Sequence, residues 1–512
     1  MLSQTHKLLW ALAATLVWAP AVLQAQEEHH HAGGVQLGVA HFAVSCKPAV
    51  QGPFDEAVAR LHSFDYNGAE EAFKRVAETD PGCAMAWWGA AMTHFHQLWQ
   101  PPLPPGELAT AQQQIALAQK LIRDAKASPA EGVAKRERQF IAAAAEILQN
   151  DAAYATRLND YEQSMATIAV AYPADVEAQM FYALALIAGA SPTDQTHAKL
   201  KKAADILEPI YVKYPQHPGA AHYLIHAYDN AELAQRGLPM ARAYSKIAPG
   251  VPHALHMPSH IFTRLGMWDD SIASNSAARA AANRAGDTGE ELHAMDYLVY
   301  AYLQAGRDAD AEHVLADLKT IHPLNVAAFK IGYAATAMPV RYLVERGDWN
   351  GASLVEEPGT APPHVKAIAI WARGLGLARG DQHSAAADQI AALQRLEEQL
   401  TASGDSYWAT QTNILEMEVM AWGAQAQGDS RRAVDLLRAA ADKEDAIEKL
   451  PVTPGPIVPA REQLGQLLFA NQQWNDSARE FRLSLVKAPG RRGAITGLAE
   501  ATKRFQAQTS AE

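Results

Sequence analysis

Two cysteines, Cys46 and Cys83, are all that 512 residues contain. A pair in an exported chain most often forms one disulfide; a metal thiolate pair or two buried free thiols are the alternatives. Beyond the first residues, nothing approaches the roughly 18–20 continuous apolar residues of a membrane-spanning helix. Clusters of positive charge are absent too. The formal net charge is -12, which argues against nucleic acid, whose affinity comes largely from Lys and Arg on phosphates, and equally against anionic membrane surfaces. Strand signals are almost missing. There is no H-E-x-x-H motif, since His222 and His226 enclose Tyr-Leu-Ile, and no Gly-rich phosphate loop or nucleophile elbow.

What is present begins with a leader. Lys7 precedes the apolar run Leu8 to Ala19, and small residues follow at Ala19, Ala21 and Ala25. A short apolar stretch behind a positive charge, with a small-residue cleavage point, reads as a secretory signal over residues 1–25. No cysteine stands at that point, which argues against a lipid anchor. The mature chain is expected to be secreted or periplasmic, with no membrane span. Residues 26–50, with His29-His30-His31 and Gly33-Gly34, read as a flexible leader. The three histidines could also be a loose metal-capture tail.

From residue 51 the composition is helical, with alanine- and leucine-rich stretches broken at Asp80-Pro81, Tyr172-Pro173, Tyr214-Pro215, Ala248-Pro249 and His322-Pro323. Recurring helix pairs closed by proline call for a repeat search. Leu464-Gly465, Leu468, Trp474, Ala478, Phe481 and Pro489 carry a leucine-glycine pair, an aromatic, then a second helix ended by proline. Tyr66, Ala69, Phe73 and Pro81 repeat the second half, and Trp88-Gly89 with Met92 opens another unit. This is the tetratricopeptide pattern. The fold expected is an all-α helix-pair solenoid, in which each pair buries its apolar face against its neighbours. The segments are N-terminal units over 51–105, degenerate helical repeats over 106–210, central units over 211–325 and C-terminal units over 326–512.

Histidines recur in register across the central units. With Pro249 as position 32 of its repeat, His222 and His226 fall at positions 5 and 9. The next unit, fixed by Gly266 and Trp268, places His253, His256 and His260 at positions 2, 5 and 9. Both 256 − 222 and 260 − 226 equal 34, the length of one repeat. The following unit has His293, Asp296 and Tyr300 at the same three positions. Residues three or four apart share a helix face, and stacked helices lie about 8–10 Å apart, so these imidazoles can meet at one or two ions. Histidine pairs four apart are a common way to hold Zn or another transition metal. A lone histidine on a solenoid helix is more often a packing residue. A set in this register is not explained that way.

The candidate metal ligands are therefore His222, His226, His253, His256, His260, His293 and Asp296. Asp229 is placed to orient an imidazole through its free N–H, or to contact substrate. Arg264 and Arg341 could hold a substrate carboxylate; simple ion pairing is the alternative for all three. Tyr223 and Tyr300 are candidate proton donors or redox partners. Pro258, between His256 and His260, should bend their helix. His62 and His94, with His96 and Trp99 following, stand several repeats away.

The whole mature chain resembles a group of secreted bacterial tetratricopeptide proteins, sharing blocks like Ser45-Cys46-Lys47-Pro48, His256-Met257-Pro258-Ser259-His260 and Pro451-Val452-Thr453-Pro454-Gly455-Pro456. The resemblance implies a right-handed superhelix with positions 2, 5 and 9 lining its concave groove, and it supplies no reaction. Three functions are open. One is a metal-dependent enzyme, a hydrolase using zinc or an oxidoreductase using copper or iron, acting on a small molecule or peptide in the groove. The other two are a periplasmic scaffold that binds a peptide or protein, and a metal-sequestering protein. Three imidazoles per ion suit paired copper.

Overall fold

The computed structural model describes residues 35–98, 103–124, 131–149, 152–380 and 382–511. The signal-like segment, His29–His31 and Trp99 lie outside them. Among the described residues there is no strand. Helix follows helix as antiparallel pairs, from Gln51–His62 with Tyr66–Thr79 to Ala460–Ala470 with Trp474–Lys487, and a last helix, Arg492–Ala511, caps the stack. This is the tetratricopeptide-type solenoid. None of these helices is long and apolar enough to cross a membrane.

Small residues set how closely the helices approach. A Cβ on Gly465 would stand 2.8 Å from the Phe481 ring, and one on Gly89 would stand 2.4 Å from that of Phe73. The glycine at this point of the first helix, after Leu464 or Trp88, thus makes room for the aromatic of a second helix. Tight turns between helices use glycine in the left-handed region, as at Gly266 (φ 68°) and Gly306 (φ 73°). The stretch 106–210 holds regular pairs despite its degenerate sequence, with Glu131–Leu148 against Tyr154–Ala171 and Val176–Ala188 against Ala198–Lys213.

The disulfide forms between Cys46 and Cys83. It ties the start of the first pair to the helix Ala84–Met92. Residues 36–50, expected to be flexible, are packed. The Val39 N–H donates to the Gln216 carbonyl at 2.9 Å, and Phe42 is fully buried among Phe54, Trp88, Phe140 and Phe181. A single aromatic in a polar leader gave no periodic signal, yet its burial is enough to pin the segment.

Two departures from regular repeats shape the centre. Pro258 cannot donate to the carbonyl one turn back, and the helix breaks there into Pro252–His256 and Pro258–Arg264. Between the helices Ser430–Asp445 and Ala460–Ala470 the chain runs as an irregular strap across earlier repeats. The Glu448 N–H donates to the Pro192 carbonyl at 2.7 Å. Tyr297 donates its hydroxyl to the carbonyls of Pro451 and Thr453 (3.2 and 3.1 Å), and Tyr333 donates to Thr453 Oγ1 (2.9 Å). Val452 is buried in the same core as residues of the first six helix pairs.

Candidate metal centre

The histidine ladder resolves into two sets of three. His222, His226 and His253 bring their ring nitrogens within 4.8 Å of one another, and so do His256, His260 and His293. Each set takes positions 5 and 9 of one first helix and position 2 of the next, so the sets are repeat equivalents one unit apart. They adjoin: the His226 and His260 rings are 5.8 Å apart, and those of His253 and His256 are 6.0 Å apart. All six imidazoles are buried, none more than 5% exposed.

The outer nitrogens decide the chemistry. His222 donates its Nδ1–H to the main-chain carbonyl of His62 at 2.6 Å. His256 donates Nδ1–H to Asn275 Oδ1 at 2.6 Å, and Asn275 is itself fixed by donating to the Ser271 carbonyl. His260 donates to Asp229 Oδ2 at 2.8 Å, and His253 to Glu290 Oε2 at 3.2 Å. Each of these acceptors holds the proton on Nδ1 and leaves Nε2 as the nitrogen able to bind a metal, the tautomer a metal requires.

Burial pushes the pKa of His222, His226, His256 and His293 well below the usual imidazole value, and neighbouring imidazoles add to the effect. Burial likewise takes His260 down to about 4, against the pull of Asp229. These rings are therefore neutral near pH 7. His256 Nε2 and His260 Nε2 then face each other at 3.0 Å with no proton between them. The two lone pairs of His256 and His260 repel at that distance unless a cation lies between them. His222 Nε2 and His226 Nε2 stand at 3.1 Å, within hydrogen-bond reach of each other. Ligand nitrogens about 2.0–2.1 Å from a common ion have separations of this order.

Carboxylates form the second layer. Burial alone would push the Asp229 carboxyl up, but Lys449, Arg264 and His260 hold it well below the usual range. It accepts from Lys449 Nζ at 2.8 Å and Arg264 Nε at 2.9 Å. Glu290 is also held low against burial, by Lys330 and His253. A third group, His62, Glu177 and His217, buttresses the first set. Glu177 accepts from His62 Nε2 (2.7 Å) and His217 Nε2 (3.1 Å), and Tyr223 donates to His62 Nδ1 (2.8 Å). That clamp fixes the main-chain carbonyl of His62 on which His222 rests.

Aromatic rings wall the centre. Phe64 lies 4.4 Å from the His222 ring centroid and 5.5 Å from that of His253. Its φ of 55° is a left-handed conformation that costs roughly 1–2 kcal/mol for a side chain of this kind. Tyr297 packs 4.7 Å from His256 and 5.3 Å from His293, with its hydroxyl turned away to the strap.

Several expected residues stand elsewhere. Asp296 belongs to neither set; it faces Arg341 Nε at 3.6 Å, and burial pushes it up to about 6. At position 5 of the third unit it replaces an imidazole, so the ladder stops there. Tyr300 packs against Trp268 and Arg341. Tyr223 faces His62 rather than the ring nitrogens of the sets. Arg264 is engaged by Asp229 and Glu448, and Arg341 also reaches the strap carbonyls of Pro456 (3.2 Å) and Gly455 (3.5 Å). His94 lies by Glu70 at 3.4 Å and His96 packs at a tilt against Tyr66, 4.3 Å between ring centroids. Sequence reasoning missed Phe64, Asn275, Glu290, Glu177, His217 and Tyr297. Only Glu290 and Tyr297 had a local signal, three residues before and four after His293 on one helix.

Fold and site together define a class: an all-helical repeat solenoid with two adjoining, buried three-histidine sets that could hold metal. No family model and no curated protein matches the chain. Among solved structures it is similar to a monomeric mutant of IFIT1 with Gppp-AAAA, at 10% identity over 82% of this chain and 90% of that one, with a TM-score of 0.35. Yeast Tom70 matches at 12% identity over 88% of each chain, with a TM-score of 0.30. The APC/C hetero-tetramer Cut9-Hcn1 matches at 10% identity over 88% of this chain and 76% of that one, with a TM-score of 0.35.

Proposed function

We propose that this chain is an exported metal-dependent oxidoreductase whose two histidine sets hold a pair of transition-metal ions, with copper the best fit. The observation that carries this is the facing of His256 Nε2 and His260 Nε2 at 3.0 Å, each ring already holding its one proton on Nδ1. Copper is favoured over zinc or iron by the donor set. Six imidazoles bring no negative charge, and a buried site of that kind suits an ion that also exists with a single positive charge. A copper pair so held supplies electron transfer to or from a small molecule or peptide.

The chain's own groups orient the ligands and exclude water. Asp229, Asn275, Glu290 and the His62 carbonyl fix the rings; Phe64, Tyr297 and the strap keep solvent out. Three protein ligands per ion would leave a coordination position open, as in catalytic rather than storage sites. Burial of all six rings supports the second reading, metal sequestration without turnover. Export is supported by the apolar leader and by the Cys46–Cys83 disulfide, which persists where thiols are not kept reduced.

The test is elemental analysis of natively exported protein, with a His256→Ala/His260→Ala double variant alongside and circular dichroism to confirm helix content. About two equivalents of one metal are expected in the wild type, and about one in the variant. No stoichiometric transition metal after loading with copper, zinc and iron in turn overturns the proposal. Metal without turnover of phenolic or thiol electron donors supports sequestration instead.

A further inference from the structure

Away from the histidine sets, the C-terminal repeats enclose a cleft of about 650 Å³ lined by Trp349, Arg379, Glu462, Gln466, Arg492 and Thr496, among others. Its charges are almost all spoken for. Glu345 and Glu462 both receive the buried Arg491, at 2.7–3.1 Å. Asp308 receives Arg492 at 2.6 Å and lies 3.6 Å from Arg346. Arg379 is the exception. No carboxylate of the described residues lies within 4.0 Å of its guanidinium, and its one side-chain bond runs from an Nη to Gln466 Oε1 at 3.1 Å.

The surroundings of Arg379 restrict what it can do. Its guanidinium carbon sits 3.9 Å from the Trp349 ring centroid and 3.8 Å from that of Trp422, so indoles cover both faces. Stacking of this kind attracts the cation to the rings and holds the guanidinium plane fixed. Only the N–H edge is left, and one side of it goes to Gln466. Burial without a counter-charge pushes the guanidinium pKa down, a cost that a bound anion would offset.

We propose that this cleft is a carboxylate-binding site, in which the indole-sandwiched Arg379 presents its free edge to the carboxylate of a small organic acid or a peptide C-terminus. A planar fork fixed on both faces matches the two oxygens of a carboxylate in one plane. Gln466 sets its rotation, and the pairing of Glu345, Glu462 and Asp308 with other arginines keeps them from competing for it. The site is independent of the metal centre and stands whether or not metal is held there.

The test uses the full-length protein and a panel of acetate, N-acetylglycine and succinate, with N-acetylglycinamide as the uncharged counterpart of the second. Binding is followed by tryptophan fluorescence, since two indoles flank the guanidinium, and by calorimetry. Saturable binding of at least one acid is expected, with none of the amide. Arg379→Gln should weaken it about tenfold or more, the loss of a charge-assisted pair. Arg379→Lys, which keeps the charge but not the fork, should weaken it as well. Equal binding of acid and amide overturns the proposal, as does wild-type affinity in Arg379→Lys or no saturable binding by any acid of the panel. Should Arg379→Gln fail to fold, the lysine variant and the acid–amide comparison on the wild type decide the matter.

Discussion

Replacing Asp229 by asparagine removes one negative charge, at nearly constant size, from a point where three positive or proton-donating groups converge. Asp229 accepts from His260 Nδ1 (2.8 Å), Arg264 Nε (2.9 Å) and Lys449 Nζ (2.8 Å), and its side chain is only 5% exposed. Water cannot take its place. Arg264 keeps Glu448 at 3.2 Å and the Asp229 main-chain carbonyl at 2.8 Å, so it is the least affected. Lys449 loses its counter-charge. Burial already brings its pKa down to about 8 with Asp229 present, so at pH 7 it escapes by losing its proton for about 1 kcal/mol. Weakening the charge-assisted bonds to His260 and Arg264 adds roughly 1.5–3 kcal/mol. The metal-free variant should therefore be destabilised by about 2.5–4 kcal/mol in urea unfolding of chelator-treated protein. Asp229→Asn/Lys449→Met should recover about 1 kcal/mol of this, because the stranded amine is gone. Chelator competition should show the ion on the His260 set held roughly 10–100-fold more weakly, the usual effect of losing such a partner, with the ion on the His222 set unchanged. Asp229→Asn within about 0.5 kcal/mol of wild type, or equal weakening of both ions, would refute the reasoning.

Two further outcomes are expected. Burial takes His364 down to about 4, with no charged group contributing, and its ring stacks on Trp408 at 4.6 Å. Its folded pKa lies below the unfolded value of about 6.5, so the unfolded chain binds more protons between the two. The contribution is therefore fully present above pH 6.5 and lost as the pH falls towards 4, by up to about 3 kcal/mol; His364→Phe should flatten the acid limb of stability against pH, and an unchanged limb would sink the assignment. Opening the Cys46–Cys83 bridge, which closes a loop of separation 37, should cost about 3–4 kcal/mol in the chain-entropy model. Unfolding of Cys46→Ser/Cys83→Ser against wild type measures it, and a loss below about 1 kcal/mol would show that the residues around Phe42 hold without it.

The fold was readable because each repeat announces itself locally. Gly465 with Phe481 and Gly89 with Phe73 are helix contacts written in pairs of a small and a large residue. All six imidazoles of the two sets were readable too, since a face defined by positions 2, 5 and 9 needs only helical spacing. What spacing did not reveal is how the six divide: the pairing of positions 5 and 9 with position 2 of the next unit depends on how far one helix slides past another. Asp296 was included for the same reason and stands apart, because the third unit meets Arg341 where the others meet imidazoles. The groups that orient the rings were hidden for a different cause. Glu177 lies 115 residues from His62, and Lys449 lies 220 from Asp229. No local pattern encodes partners so far apart. The strap was visible as a proline-rich block, but it has no periodicity, and its course follows from contacts with distant residues such as Pro192, Asp229, Tyr297, Tyr333 and Arg341.

The strap also sets an order of events in time. A chain emerging from its N-terminus has all six imidazoles once His293 is out, yet the segment that seals them, with Lys449 for Asp229 and main-chain carbonyls for Tyr297, follows more than 150 residues later. Until then Asp229 lacks Lys449 and Tyr297 lacks its carbonyl acceptors, so the surroundings of the His256 set are completed last. Any ion the sets held would be easiest to load during assembly, and would leave a finished molecule only as fast as the strap lifts.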